Sequence, residues 1–240
     1  MFATDRFTAY AKFPLPEFII GWAGQVGISL APADDNSAYE LEYKYNRLQL
    51  NWRGVDRFLP VSVEAPKPGR TSTANLLIRA IGRNTVRVAD VTAGFGVDTF
   101  TLASCGVSVC CVERNPAAAL LLFDGLSRCP RKIADKVTLK FDDSINWLAK
   151  ISDEPETIYI DTMFAGKKKS ARAPKQMQML RQIAGDDADA SLLFSAALAS
   201  GASRVVVKAA DDGPVMDYQV NAQFKGKTVR FDVYLPERDK

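Results

Sequence analysis

The sequence contains no histidine. Ser-His-Asp and Cys-His catalytic machinery, His-x-x-x-His zinc sites and imidazole general bases are therefore excluded. This absence removes whole classes of hydrolase from consideration. Reactions in which the leaving group arrives already activated remain open, because there the enzyme mainly has to align the reacting atoms.

Cysteines are few, and membrane-spanning runs are missing. The spacing of the four cysteines matches neither a paired metal site nor a disulfide framework, so we expect reduced thiols and no bound metal. No apolar run approaches the length of a membrane span, and the first residues lack the charged and apolar regions of a signal peptide. The sequence therefore predicts a cytoplasmic protein with no membrane partner. The cysteines are Cys105, Cys110, Cys111 and Cys129.

The remaining composition is that of an ordinary folded domain. With 240 residues, of which 47% are apolar, the chain is long enough to bury a core. A helix is predicted over 17–24, and alternating apolar and polar residues over 39–45 and 48–52 predict a hairpin with one dry face. We therefore divide the chain into a small α+β appendage, 1–65, and a main domain, 66–240.

The main domain is organised around the stretch Arg87-Val-Ala-Asp-Val-Thr-Ala-Gly-Phe-Gly-Val-Asp98. Its apolar run predicts a buried parallel strand, Gly94-Phe-Gly96 a tight turn, and residues 97–104 a helix. A strand, a glycine turn and a helix in this order present backbone N–H groups to a bound nucleotide. A Gly-x-Gly turn is also common as a simple tight corner, so this motif by itself leaves both interpretations open.

The second predicted strand, 107–112, narrows the choice of ligand. It ends in Glu113, and a carboxylate at this position can accept both ribose hydroxyls of an adenosine. A dinucleotide-binding turn needs a third glycine where this chain has Thr99. In addition, Asp98 would repel a pyrophosphate but attract a sulfonium or an amino group. The pattern therefore favours S-adenosylmethionine over a nicotinamide dinucleotide.

Two further predicted strands end in acidic residues. Strand 137–141 is followed by Asp142-Asp-Ser144, and strand 157–161 ends at Asp161. The carboxyl edge of an open α/β sheet faces the ligand crevice. A carboxylate at that edge is well placed for chemistry.

The last part of the chain predicts how the sheet closes. A helix over 191–200 and a buried strand over 203–208 precede two alternating runs, 218–225 and 228–235, around a glycine. A terminal antiparallel pair closing a parallel sheet is typical of methyltransferases rather than dinucleotide dehydrogenases. The predicted fold class is α/β, a doubly wound Rossmann-like methyltransferase sheet with a terminal antiparallel hairpin. Other helices are predicted at 117–126, at 73–81 before Gly82, and after the third strand, with Ile145, Leu148 and Ile151 on its apolar face.

Together these motifs resemble the bacterial small-subunit ribosomal RNA guanine-N2 methyltransferases, which modify a guanine near the 3′ end of 16S RNA. The resemblance spans about residues 85–235 and implies S-adenosylmethionine as cofactor. It is carried by Asp90-Val-Thr-Ala-Gly-Phe-Gly-Val-Asp98, Thr101-Leu-Ala-Ser104, Val112-Glu-Arg-Asn-Pro116, Asp161-Thr-Met-Phe164 and Lys168-Lys-Ser170. The cofactor-binding residues it implies are Asp90, Gly94, Gly96, Val97, Asp98, Glu113, Arg114, Asp143, Ser144 and Asp161.

The resemblance also implies a catalytic pair, Asp161 and Phe164. Asp161 and the carbonyls after it would accept hydrogen bonds from the guanine N2 amino group, while Phe164 stacks on the base. The family carries Asp-Pro-Met-Phe-Pro here, whereas this chain has Asp161-Thr-Met-Phe-Ala165. Since proline stiffens a loop, losing both prolines changes the loop. We expect an enzyme; the alternative is a non-catalytic RNA- or ribosome-binding protein that kept the fold.

No acidic residue occurs over 162–185, and basic residues follow the loop in this segment. The overall charge is only +3, too small for a general nucleic-acid coat, but cations concentrated beside the crevice can follow a phosphate backbone. The segment therefore predicts RNA binding, and the family resemblance implies that the partner is 16S ribosomal RNA or the small ribosomal subunit. For the function of the protein as a whole, a nicotinamide-dependent oxidoreductase is a less favoured alternative to the methyltransferase. The predicted RNA-binding residues are Lys167, Lys168, Lys169, Arg172 and Lys175, with Arg181 in the same segment.

Overall fold

The structure of the protein is a computed structural model that describes residues 7–52, 59–64, 72–153, 155–161 and 189–236. In these ranges the strands form two sheets, one of four strands and one of seven. None of the helices in the same ranges is long and apolar enough to cross a membrane.

The first sheet belongs to the N-terminal part of the chain. Its order is β2-β1-β3-β4, with β1 parallel to both neighbours and β3 and β4 forming an antiparallel hairpin. The predicted helix and hairpin are confirmed, whereas β1 and β2 were not predicted. Their apolar positions are few and include alanines, which have low strand propensity. The elements are β1 (Thr8–Lys12), α1 (Glu17–Val26), β2 (Ser29–Pro32), β3 (Tyr39–Lys44) and β4 (Arg47–Trp52).

The second sheet has the order β10-β11-β9-β8-β5-β6-β7. Strands β7, β6, β5, β8 and β9 are parallel, while β11 is antiparallel to both β9 and β10. This arrangement confirms the predicted doubly wound sheet with a terminal antiparallel hairpin. The strands are β5 (Arg87–Asp90), β6 (Ser108–Glu113), β7 (Val137–Phe141), β8 (Thr157–Ile160), β9 (Arg204–Ala210), β10 (Ala222–Lys225) and β11 (Val229–Tyr234).

Helices cover both faces of this sheet. Successive residues of a strand point to opposite faces, and in the central strands the residues on both faces are apolar, so both faces are buried. Val88 and Tyr159 join an apolar cluster with α2, α3, α4 and the N-terminal sheet, while Ala89 and Ile158 join a second cluster with α6 and α7. The core is therefore two layers separated by one sheet. The helices are α2 (Ser72–Ile81), α3 (Val97–Ser104), α4 (Pro116–Ser127), α5 (Arg131–Ala134), α6 (Ser144–Leu148) and α7 (Ala190–Ala199).

Two predicted elements are shorter in the structure. The run 218–225 forms a strand only from Ala222, because the ring of Tyr218 packs edge-on against Phe194 and Tyr234, each with a centroid distance of 6.3 Å. The helix predicted to reach Ile151 ends at Leu148.

The N-terminal sheet docks on α4 through a buried carboxylate. Asp124 is fully buried, and its Oδ2 accepts the N–H of Leu48 at 3.0 Å. Arg128, one turn later, donates to the same oxygen at 2.8 Å and to the carbonyl of Val63 at 2.6 Å. A Cβ atom on Gly125 would lie 2.4 Å from Cγ1 of Val63. The absence of a side chain at Gly125 therefore lets the two parts of the chain approach closely.

We predict that Gly125→Ala lowers the free energy of unfolding by about 1–3 kcal/mol, the usual cost of overpacking. Denaturant unfolding measures the loss. The double variant Gly125→Ala/Val63→Ala should recover part of the lost stability, because it removes the methyl group that the added Cβ would overlap. The control is Gly21→Ala in α1, where nothing lies within 4 Å of the added Cβ. Equal stability of Gly125→Ala and the parent protein would contradict the close packing.

Candidate active site

The glycine turn after β5 is held from behind by Asp90. The side chain is only 1% exposed and accepts hydrogen bonds from the N–H of Thr92 at 3.2 Å and the hydroxyl of Thr99 at 2.5 Å. Gly94 and Gly96 have φ values of 53° and 75°, which glycine adopts without strain. The predicted turn is therefore confirmed, and Asp90 lies beneath it rather than on its surface.

Glu113 ties the end of β6 to this turn. Its Oε2 accepts the N–H of Gly94 at 2.7 Å, and its Oε1 accepts the N–H of Asn115 at 2.6 Å. Burial raises the pKa of Glu113, while these two N–H groups act in the opposite direction. A buried acceptor thus lies at the carboxyl edge of the sheet, directly beside the glycine turn.

The segment after β7 is connected to the same turn. Asp143 caps α6 by accepting two backbone N–H groups at 3.1 and 3.2 Å, and Ser144 donates to the carbonyl of Val91 at 2.6 Å. Arg114 forms an ion pair with Asp189, just before α7, and lies 3.7 Å from the Oδ2 atom of Asp143. These hydrogen bonds of Asp143 and Ser144 therefore hold both residues at the carboxyl edge of the sheet, the edge that also carries Glu113.

Four side chains, one of them Lys208 of β9, meet beside the end of β8. The Nζ atom of Lys208 lies 2.7 Å from Oδ2 of Asp98 and 2.8 Å from Oδ2 of Asp161. The hydroxyl of Tyr159 donates to Oδ2 of Asp98 at 2.6 Å. The N–H of Asp161 donates to the hydroxyl of Thr92, again at 2.6 Å. The carboxylates of the α3 turn and of the β8 end are thus held by one ammonium.

Burial by itself would lower the pKa of Lys208, but the carboxylates of Asp161 and Asp98 outweigh it and raise the pKa. The lysine is therefore an ammonium ion at neutral pH. Burial, followed by the neighbouring carboxylates, raises the pKa of Tyr159 well above its ordinary value. Its phenol stays protonated and acts as a donor to Asp98.

Sequence reasoning missed Lys208 as a site residue. It placed this lysine only at the end of a buried strand, after Val205, Val206 and Val207. A signal was present, because a lysine that continues an apolar strand is rarely buried unless an acidic partner is close. Pairing it with Asp98 and Asp161 required the tertiary structure.

Other predicted site residues are exposed or lie outside the described residues. Val97, the first residue of α3, is 62% exposed. Phe164 and the predicted RNA-binding residues fall within 162–188, which the structure does not describe. Among the described residues, no group of three His, Cys, Asp or Glu side chains is arranged to hold a metal ion. The RNA-binding predictions concern Lys167, Lys168, Lys169, Arg172 and Lys175.

Comparison with known proteins identifies the family. A family model for S-adenosylmethionine-dependent methyltransferases matches residues 24–236. Ribosomal RNA small subunit methyltransferase J of Pseudomonas aeruginosa is 35% identical over 230 residues, covering 89% of this chain and 88% of that protein. The protein of the same name from Dechloromonas aromatica is 37% identical over 224 residues, covering 86% and 91%. The chain belongs to this methyltransferase family.

A solved structure has the same fold as this chain. The crystal structure of an S-adenosylmethionine-dependent methyltransferase from Neisseria gonorrhoeae superimposes with a TM-score of 0.73, covering 97% of each chain at 24% identity. At this identity the likeness shows the Rossmann-like fold alone. Family membership makes the protein an S-adenosylmethionine-dependent methyltransferase. The preference for this cofactor over a nicotinamide dinucleotide is therefore confirmed.

The residues at the carboxyl edge fit S-adenosylmethionine. The first turn of α3 carries Asp98, which would repel the pyrophosphate of a dinucleotide but attracts a sulfonium or an ammonium. Glu113 offers a buried acceptor for hydroxyl groups at the end of the next strand. When bound, the cofactor supplies a methyl group on a positively charged sulfur.

Asp90 generates a prediction about pH. Burial raises the pKa of Asp90 to about 7. In the unfolded chain an aspartate ionises near pH 3.9, so between about pH 4 and 7 the folded state binds more protons and its stability falls as pH rises. Asparagine does not ionise, so the free energy of unfolding of Asp90→Asn should rise relative to that of the parent protein as the pH is raised from 5 to 8. Urea unfolding at each pH measures this difference. The exposed-site variant Asp35→Asn should show no such gain, and a difference for Asp90→Asn that stays constant with pH would contradict the assignment.

Proposed function

We propose that the protein transfers a methyl group from S-adenosylmethionine to the exocyclic N2 of a guanine in 16S ribosomal RNA of the small ribosomal subunit. The names of the relatives, which act on small-subunit ribosomal RNA, support the substrate. The observation that carries the proposal is the position of Asp161. It follows β8 at the ligand edge and shares an ammonium with Asp98 of the cofactor turn.

The target amine sets the chemical requirement. The N2 nitrogen of guanine is conjugated with the ring and is a weak nucleophile, so the site has to orient its lone pair towards the methyl group. A carboxylate that accepts an N–H of the amine supplies both orientation and polarisation. Asp161 is suited to this task because Lys208 and Thr92 hold its side chain and its backbone. Phe164 is proposed to stack on the flat face of the base.

The cofactor is assigned along the same edge. Glu113 would accept the ribose hydroxyls, and Asp143 with Ser144 would flank the adenine. Asp90 acts through the turn, because its buried side chain holds Thr92 and Thr99. Arg114 would keep Asp143 in place through their ion pair. The turn residues that would surround the methionine part are Gly94, Gly96, Val97 and Asp98.

The RNA would be held by the cations that follow Asp161 in the sequence. A basic segment neutralises phosphates without reading bases, so it would set affinity rather than the choice of nucleotide.

A second candidate function is a non-catalytic RNA- or ribosome-binding protein. The observation in its favour is the loop Asp161-Thr-Met-Phe-Ala165, which lacks both prolines of the family motif. Methyl transfer separates the two functions.

The decisive assay is transfer of a labelled methyl group to undermethylated 30S particles and to naked 16S RNA, with N2-methylguanosine identified by mass spectrometry. Asp161→Ala should lower turnover by about a hundredfold or more, the usual effect of losing an electrostatic contact to the reacting group. Calorimetry should show that the variant still binds the cofactor. Asp35→Ala is the exposed control. Unchanged turnover would remove Asp161 from the mechanism, and binding of 30S particles without any transfer would favour the non-catalytic alternative.

Glu113→Ala should weaken binding of S-adenosylmethionine by about 1–3 kcal/mol, the scale of a lost hydrogen bond to a charged group. Calorimetry measures the loss, and Glu17→Ala, at an exposed position of α1, is the control. Because Glu113 also holds Gly94 and Asn115, unfolding experiments on the variant check that the turn still forms. Undiminished affinity in a folded Glu113→Ala protein would refute the ribose assignment.

A further inference from the structure

We propose that Lys208 is a positioning residue of the transfer site, which holds the cofactor-side carboxylate Asp98 and the substrate-side carboxylate Asp161 at one point. This inference rests on the function proposed above. It adds a residue to which neither the motifs nor the comparisons assign a role.

The sheet places Lys208 and Asp161 side by side. Strands β8 and β9 are parallel, with Ile160 opposite Val207, so the next residues along the two strands are Asp161 and Lys208. Asp98 reaches the same point from the first turn of α3. Three separate elements therefore deliver one cation and two carboxylates to one place.

Burial makes this contact more than a surface ion pair. The side chain of Lys208 is 18% exposed and those of Asp98 and Asp161 are 13% and 22% exposed. Removing an ammonium from water is costly unless charged acceptors replace the water, and both acceptors here lie at the distances of charge-assisted hydrogen bonds. Two further contacts hold these residues: the phenol of Tyr159 donates to the carboxylate of Asp98, and the backbone N–H of Asp161 donates to the hydroxyl of Thr92.

The charges explain why a lysine is needed. Among the described residues, the titratable groups around the ammonium are Asp98, Asp161, the phenol of Tyr159 and, beneath the turn, Asp90. Without the cation, two carboxylates bound to one point would repel each other and turn apart. With it, the three charges sum to one negative charge, which complements the single net positive charge of S-adenosylmethionine. Lys208 thus lets an acid for the cofactor and an acid for the target amine coexist.

The test compares Lys208→Met, which removes the charge, with Lys208→Arg, which keeps it in a different shape. The control is Lys12→Met on β1, a strand lysine that also pairs with a carboxylate, Glu42 at 3.0 Å, but is 61% exposed on the other sheet. We expect Lys208→Met to lower kcat about tenfold or more, with a smaller change in KM for the RNA. Lys208→Arg should recover part of kcat, and Lys12→Met should behave as the parent protein.

Two readouts separate positioning from a general loss of structure. Loss of the cation should move the acid limb of the kcat profile to higher pH by about one to three units, whereas Lys208→Arg should leave it in place. Carboxyl-carbon NMR of the RNA-free protein, assigned with Asp98→Asn and Asp161→Asn, should show the signals of both carboxylates displaced in Lys208→Met at one fixed pH, because both lose their contact with the ammonium. Should Lys208→Met fail to fold in a thermal melt, Lys208→Gln takes its place in both measurements.

The outcomes are distinct. If the parent protein transfers methyl groups and Lys208→Met matches Lys12→Met in kcat and pH profile, the role of Lys208 is overturned while the proposed function stands. If the parent protein transfers to no RNA, the proposed function fails and the positioning role falls with it. The NMR spectrum then still decides the underlying contact, because unchanged carboxyl signals in Lys208→Met would show that the lysine does not hold Asp98 and Asp161.

Discussion

A carboxylate that leaves water must be met by a hydrogen-bond donor or a cation, and this constraint organises the ligand edge of the main sheet. Asp90 is met by a threonine hydroxyl, Glu113 by backbone N–H groups, and Asp98 and Asp161 by the ammonium of Lys208. Each partner comes from a different strand or turn. Satisfying the buried acids therefore also fixes the glycine turn, the strand ends and the first turn of α3 relative to one another.

The same constraint recurs away from the site and supports it. Arg230 on β11 pairs with Asp232 and donates to the carbonyl of Ala210, the last residue of β9, and to the carbonyls of three residues in the loop that follows. These contacts stabilise the end of the strand that carries Lys208. On the opposite side, Asp124 joins the N-terminal sheet to α4, the helix that follows Glu113 in sequence. Polar contacts thus fix the orientation of elements that the two apolar clusters bring together.

Much of the fold could be predicted, because it depends on local patterns. The glycine turn, the parallel strands and the terminal hairpin each have a signature within about ten residues, and the strand ends marked Glu113 and Asp161 as edge residues. The short strand Thr8–Lys12 was missed because alanine occupies both of its buried positions. The early start predicted for β10 was wrong because aromatic packing around Tyr218, which involves residues distant in sequence, overrides local alternation.

The sequence by itself determined which chemistry is open to the protein, because the absence of histidine excludes histidine-based catalysis. Glu113 at the end of the second strand favours an adenosyl cofactor, and Asp98, where a dinucleotide would place its pyrophosphate, favours one with a positive charge. Only the tertiary structure decided how the acids are arranged, because their partners are distant along the chain. Lys208 lies 110 residues from Asp98 and 47 from Asp161. Pairing at such separations follows from strand order and register, which composition and periodicity do not encode.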